Sequence, residues 1–281
     1  MTVSVIARLV TDGVLGWDVP IRNYLPDLCQ RKDEVGLKTT IRDLVANHSG
    51  LPMATFYWGQ QNAEQLIPKS EFVRIVNHLQ AVRPFRFTLI YSQCNFCLFY
   101  IIVETVTGKS FGEFVHQFIF EPLGLKTATF DIPTGTNIPK LHSNRDDRSV
   151  CNIIISRFDS SSGLAAGCGG KSSLKDQLKL YIALLAAYNH QVTNNVDTTP
   201  GSPFTQLRTI FIPQIRLPGS QIEKQAYCLG LYRTKLPDNL NCASLNSALS
   251  RNKYLYLVKS KKVWKYHQKR FSITALPPRT S

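Results

Sequence analysis

Phe87-Thr88-Leu89-Ile90-Tyr91-Ser92-Gln93-Cys94-Asn95-Phe96 sets a phenol on a turn just ahead of an apolar run that continues to Val103. A helix beginning there directs its unpaired N–H groups and the positive end of its macrodipole at the turn, an arrangement that favours a phenolate. Tyr91 is therefore placed as a side chain that can move protons, with Gln93 supplying amide donors and an acceptor beside it. A Tyr-Ser pair alone is ordinarily structural, so the weight rests on the surrounding segments.

Helix signals dominate those segments. The run from Gln93 to Thr107 ends at Gly108, a natural left-handed C′ residue. Ser110 and Glu113 then form a capping box for the stripe Phe111, Phe114, Val115 and Phe118, with Pro122 soon after. Upstream, Thr39 or Thr40 caps a helix through Asn47 with Gly50 past its end, and Ser70 caps another through Leu79. Downstream, helices are predicted over Ser173–Tyr188 and over Pro203–Phe211, where Ser202-Pro203 sets N-cap and N1. The polar stretches Pro139–Ser149 and Tyr188–Ser202 read as loops. Strand signals lie at Cys228–Thr234, Lys253–Val258 and Val263–Gln268.

With 281 residues and 43% hydrophobic content the chain can bury a core of one large or two modest domains. The densest apolar run, Phe96–Val103, stops at Glu104, so no membrane span is expected. The first ten residues lack a basic start and a cleavage site, so no signal peptide is expected. Seven scattered cysteines form an odd set, which favours reduced thiols and a cytoplasmic setting. Cys94-x-x-Cys97 has no second pair and lies on the helix after Tyr91, where small apolar side chains pack, so both read as core. The net charge of +14 is concentrated after residue 250, where nine Lys and Arg interleave with Tyr254, Tyr256, Trp264, Tyr266 and Phe271. The chain thus divides into a domain over 1–250 and a basic, aromatic tail over 251–281. The tail has the cations and stacking faces used on nucleic acids, but no nucleic-acid motif accompanies them, and a solvated basic tail is the favoured reading.

Two motifs are decoys. Ser172-Ser-Leu-Lys175 has the Ser-x-x-Lys spacing of an acylated serine and its lysine base, yet it opens an apolar-periodic helix, where Ser172 or Ser173 reads as N-cap with Asp176 completing a capping-box-like pattern. Ala165-Ala-Gly-Cys-Gly-Gly-Lys171-Ser172 fits a relaxed phosphate-binding loop. The strand-like Cys151–Ile155 ends too early to feed such a loop, and no later strand ends in an aspartate suited to magnesium.

Four further segments occur in a telling order: Asp12-Gly-Val-Leu-Gly-Trp-Asp-Val-Pro-Ile-Arg-Asn-Tyr-Leu-Pro26, Thr40-Ile-Arg-Asp-Leu-Val-Ala-Asn-His-Ser-Gly-Leu-Pro52, Ile102-Val-Glu-Thr-Val-Thr-Gly-Lys-Ser-Phe111 and Phe120-Glu-Pro-Leu-Gly-Leu125. Together with Tyr91-Ser-Gln93 they resemble the serine beta-lactamase and penicillin-binding-protein family, in its class C and esterase branch, from residue 1 to about 245. Thr199–Phe211 and Tyr227–Thr234 resemble fungal members, some of them from secondary metabolism. The resemblance implies an α/β (α+β) fold, an antiparallel sheet flanked by helices with a helical subdomain inserted at roughly 39–190, and a sheet incomplete at both termini. It implies ester or amide hydrolysis, or acyl transfer, on a small-molecule substrate, without metal or cofactor.

The same resemblance assigns the site. Tyr91 and His267 take catalytic positions, and Gln93, Gln268 and Lys269 substrate-binding ones. Gln93 is one methylene longer than the family's asparagine. Lys269 stands where the family has a glycine against which substrate lies. Leu9-Val-Thr-Asp-Gly13 matches the end of the stretch that follows the family's Ser-x-x-Lys, so the nucleophile and its lysine are expected ahead of Met1 and the chain as written is expected to be inactive. Lacking that lysine, Tyr91 is expected to titrate as an ordinary phenol near pH ~10. The competing expectation is a non-catalytic binding protein that uses the vacant cleft or the basic tail.

Overall fold

Helix α5 (Gln93–Thr107) forms the centre of the molecule because nearly every side chain of its first three turns is apolar and buried, with Phe99, Tyr100, Ile102 and Val103 fully so. The computed structural model describes residues 1–54, 66–134, 138–153, 159–217 and 225–234. His267, Gln268, Lys269, the strand signals at 253–258 and 263–268 and the tail at 251–281 lie outside them.

Around α5 stand α1 (Thr2–Thr11), α2 (Glu34–Lys38), α3 (Ile41–Val45), α4 (Phe72–His78), α6 (Phe111–Val115), α7 (Glu121–Leu123), the long α8 (Leu174–Asn194) and α9 (Leu207–Ile210). Local signals set several of these ends. Thr40 and Asp43 form a reciprocal capping box on α3, as Ser110 and Glu113 do on α6. Gly108 ends α5 at φ +66°, a conformation glycine adopts without steric cost. A π-turn at His116–Phe120 joins α6 to α7.

Among the described residues two antiparallel sheets accompany the helices. β1 (Leu141–Asn144) pairs with β2 (Val150–Ile153), and β3 (Ile215–Arg216), β4 (Gln225–Tyr227) and β5 (Tyr232–Thr234) form a three-stranded sheet in that order. The three-stranded sheet is fastened to the helices through backbone bonds from Leu229 N to Ile210 O and from Gly230 N to Val45 O. A mainly helical body beside an antiparallel sheet is the α/β architecture expected from the sequence.

Five local expectations are corrected. Ser70 caps nothing: it sits inside the 3-10 turn Lys69–Glu71, and α4 begins at Phe72. Pro139–Ser149 is no simple loop, since residues 141–144 pair with 150–153. α8 runs six residues beyond Tyr188 to Asn194 and ends on Asn195 at φ +55°. The helix after Ser202-Pro203 starts only at Leu207, while Ser202 Oγ accepts from Phe204 N at 3.2 Å in a local turn. Cys228–Thr234 is the turn and second strand of a hairpin, with Gly230 at φ +70° reversing the chain so that Tyr227 faces Tyr232.

Candidate active site around Tyr91

Tyr91 lies immediately before Ser92, the N-cap of α5, and is 38% exposed. Its turn is held by Asn47, a fully buried residue at φ +56° that follows α3. Asn47 Oδ1 accepts from Ser92 N at 3.0 Å and from Asn95 Nδ2 at 3.1 Å, and Asn47 Nδ2 donates to Tyr227 Oη on β4 at 3.0 Å. The Asn47 carbonyl accepts from Ile90 N at 3.1 Å. One side chain and its backbone thus tie the residues on either side of Tyr91 to both α5 and the sheet. Ser92 Oγ is committed to Pro52 O at 2.8 Å, and Ser49 Oγ to Asn95 Oδ1 at 2.7 Å.

A second clamp lies behind this one. Arg86, itself at φ +60°, donates Nε and Nη2 to the two oxygens of buried Asp43 at 2.8 and 2.7 Å, and Arg86 N donates to His48 O. The bidentate pair fixes the loop leading into Tyr91 against α3.

The phenol packs on Phe96 with ring centroids 5.8 Å apart, and Gln93 Nε2 lies 3.5 Å from Tyr91 Oη. Its pKa is raised, first by burial, then by Tyr232 on β5 and by Cys168, with the Gln93 hydrogen bond acting in the opposite direction. The expectation of an ordinary, unshifted phenol is corrected: burial raises its pKa, and no cation among the described residues contributes to the shift. Tyr91 stands neutral at pH 7, able to give a proton but unable to take one until something lowers its pKa. Tyr91 and Gln93 thus face the π-turn Ala165–Gly169, whose Gly167 lies against the Gln93 amide, and Cys168 and Tyr232 lie near enough to bear on the phenol. Asn47 was not singled out from the sequence, whose only signal for it is an asparagine where a helix ends.

The decoys resolve as caps and packing. Ser173 Oγ accepts from Asp176 N at 3.3 Å and from Thr127 Oγ1 at 2.7 Å, so the Ser-x-x-Lys at Ser172 opens α8. A second Ser-x-x-Lys, Ser250-Arg251-Asn252-Lys253, was missed in reading the sequence and lies outside the described residues. Lys171 Nζ donates to the carbonyls of Phe130 and Gly169 at 3.3 and 3.0 Å, and the preceding β2 is antiparallel, so the glycine-rich segment is not built as a phosphate cradle. Cys94 and Cys97 are buried and their thiols pushed up by desolvation, as a core role requires. A groove of about 580 Å³ lined by Lys109, Glu113, His116, Phe130, Asp131 and Ser160 opens at the far end of α5, about 20 Å along the helix from Tyr91, and is separate from this site. Among the described residues no helix is long and apolar enough to cross a membrane.

Known proteins resemble the chain. The family model for Beta-lactamase matches residues 1–209. An unguisins hydrolase of Aspergillus campestris is 29% identical over 131 residues, 44% of this chain and 24% of that protein. A putative D-alanyl-D-alanine carboxypeptidase of Escherichia coli is 28% identical over 129 residues, 44% of this chain and 30% of that protein. The chain thus spans less than a third of the length of these curated relatives. A D-stereospecific amidohydrolase from Streptomyces superposes with a TM-score of 0.63 at 22% identity, over 84% of this chain and 68% of its own. A class C beta lactamase from Rhodobacter sphaeroides gives 0.59 at 21% identity, over 84% and 59%. The family match runs from α1 into α9 and takes in Tyr91, the helix after it and Asn47, and the chain belongs to the serine beta-lactamase and penicillin-binding-protein-like family.

Proposed function

We propose that this chain carries the tyrosine arm of a hydrolase acting on amide or ester bonds through an acyl-serine, and that the 281-residue polypeptide taken by itself turns over no substrate. The amide side of the reading is supported by relatives named as an unguisins hydrolase, a D-alanyl-D-alanine carboxypeptidase and a D-stereospecific amidohydrolase. In such chemistry Tyr91 would shuttle a proton between the attacking serine and the leaving group, with Gln93 orienting substrate and with His267, Gln268 and Lys269 expected on the facing strand.

The observation that carries the inactive reading is the state of Tyr91. It is neutral, its pKa raised by burial, and among the described residues neither an ammonium nor a serine hydroxyl is bonded to it. Three serines are engaged elsewhere: Ser92 on Pro52, Ser49 on Asn95 and Ser173 on the start of α8. Loss of the nucleophile in such enzymes costs several orders of magnitude in rate.

The test incubates the purified polypeptide with a chromogenic cephalosporin, a nitrophenyl ester and a serine-reactive phosphonate. No turnover above background and no mass adduct are expected. Stoichiometric phosphonylation would overturn the inactive reading, and peptide mapping would show whether Ser172 or Ser250 had supplied the nucleophile.

A further inference from the structure

We propose that Gly167 is a positioning residue for the Tyr91–Gln93 pair: a residue without a side chain is needed at 167 because a glutamine, and not a shorter amide, stands at 93. The proposal rests on reading Tyr91 as the phenol of the cleft. Gln93 is the first residue of α5, and its amide has two ends with different surroundings. Nε2 lies 3.5 Å from Tyr91 Oη. Oε1 is buried and accepts no hydrogen bond among the described residues.

What holds that carbonyl end is the π-turn Ala165–Gly169. A Cβ built on Gly167 would overlap Gln93 Oε1 and come within 3.3 Å of Gln93 Cδ, whereas its next neighbour, Phe96 Cβ, sits at an ordinary 3.6 Å. Gly167 is not among the residues at positive φ, so its backbone conformation is one alanine adopts freely. The need for glycine comes from Gln93 alone. The extra methylene that distinguishes glutamine from asparagine is accommodated by the missing side chain of a residue on another element.

The turn itself is held by hydrogen bonds on both sides of Gly167. Ala166 O accepts from Thr2 Oγ1 at 2.7 Å, and Gly167 N and Cys168 N both donate to Leu164 O at 3.0 Å. A methyl at 167 would therefore displace the Gln93 amide rather than the turn, and with it the contact to Tyr91 Oη. The ionisable groups that act on Tyr91 are Tyr232 and Cys168, and Tyr227 feels Tyr91 in turn, so no charged side chain masks the loss of the Gln93 bond.

The experiment is a double-mutant cycle of Gly167→Ala and Gln93→Asn, read by urea midpoint and by the pH titration of the Tyr91 13Cζ resonance, assigned with Tyr91→Phe. Gly167→Ala in the parent should shift the urea midpoint and move the Tyr91 titration upward, the effect of one lost hydrogen bond to the phenolate. In the Gln93→Asn background the same change should leave both readouts where they were, because asparagine withdraws the carbonyl from the turn. Equal shifts in the two backgrounds, or an unchanged Tyr91 titration in Gly167→Ala, would overturn the proposal. Should Gly167→Ala fail to fold, recovery of folding in the double variant supports the coupling and continued failure refutes it. No readout depends on turnover, so a failure of the hydrolase reading leaves the outcome separate.

Discussion

Replacing Asn47 with alanine should cost about 4 kcal/mol of folding stability, most of it through the turn that presents Tyr91. The magnitude follows from what the side chain holds. Truncation at Cβ leaves three groups without the partner they have now, Ser92 N, Asn95 Nδ2 and Tyr227 Oη, all on residues 2% exposed or less. A buried polar group stripped of its partner costs ~1–3 kcal/mol, and the lower figure is appropriate where neighbours can shift, so the three together contribute about 3. Alanine at φ +56° adds about 1 kcal/mol, because the left-handed region crowds its Cβ while asparagine tolerates it. Urea unfolding followed by far-UV circular dichroism is the assay, with an unchanged denaturant slope required for the comparison. Asn47→Gly separates the two contributions: it loses the same bonds but not the backbone strain, and should recover about 1 kcal/mol. A loss below about 1 kcal/mol for Asn47→Ala would refute the reasoning, since it would mean that the polar core between α3, α5 and β4 is replaced by water or bypassed.

Two further outcomes separate competing readings of particular residues. Ser173→Ala should cost about 1 kcal/mol as the loss of an N-cap, whereas Ser172→Ala, whose hydroxyl reaches no orphan N–H, should stay within about 0.5 kcal/mol; thermal or urea unfolding of the pair checks this, and the reverse order would contradict the capping assignment. Stability should fall in alkali. Burial raises the pKa of Tyr91, Tyr100 and Tyr227, and pushes the Cys228 thiol up to about 11. Each group is held neutral in the fold, so its contribution is complete below the unfolded pKa, ~8.5 for a thiol and ~10 for a phenol, and is lost as pH rises towards the folded value. The urea midpoint should therefore decline progressively through the alkaline range, and a midpoint that held or rose from about pH 9 to 11 would contradict the assignment.

How far the fold could be read in the sequence depended on whether an element's ends are set locally. α5 came out with its observed limits and α6 with its observed start because Gly108, Ser110 and Glu113 act on residues three or four positions away, whereas α6 gives way to a π-turn before Phe118. α8 and α9 did not, because their limits are set by a distant side chain. Gln191, polar and so read as loop, is fully buried: its Nε2 donates to Phe204 O at 2.9 Å and its Oε1 accepts from Leu207 N at 2.8 Å. That one amide extends α8 past Tyr188 and caps α9 from outside, which displaces the local Ser202-Pro203 start. The site shows the same division. The placement of Tyr91 and Gln93 at the start of a helix was legible, but the upward shift of the Tyr91 phenol was not, because the helix start is local and the burial is not. Asn47 carried only the signal of an asparagine at a helix end and Gly167 none, since each matters through residues about 45 to 180 positions away, Ser92 and Tyr227 for the first and Gln93 for the second. The tyrosine is thus only the visible end of a device whose geometry is set by an amide hub behind it and a missing side chain in front. A site of this kind can keep its shape whether or not the chemistry it was built for is present, which is why variants at 47 and 167 test the geometry of the site separately from its activity.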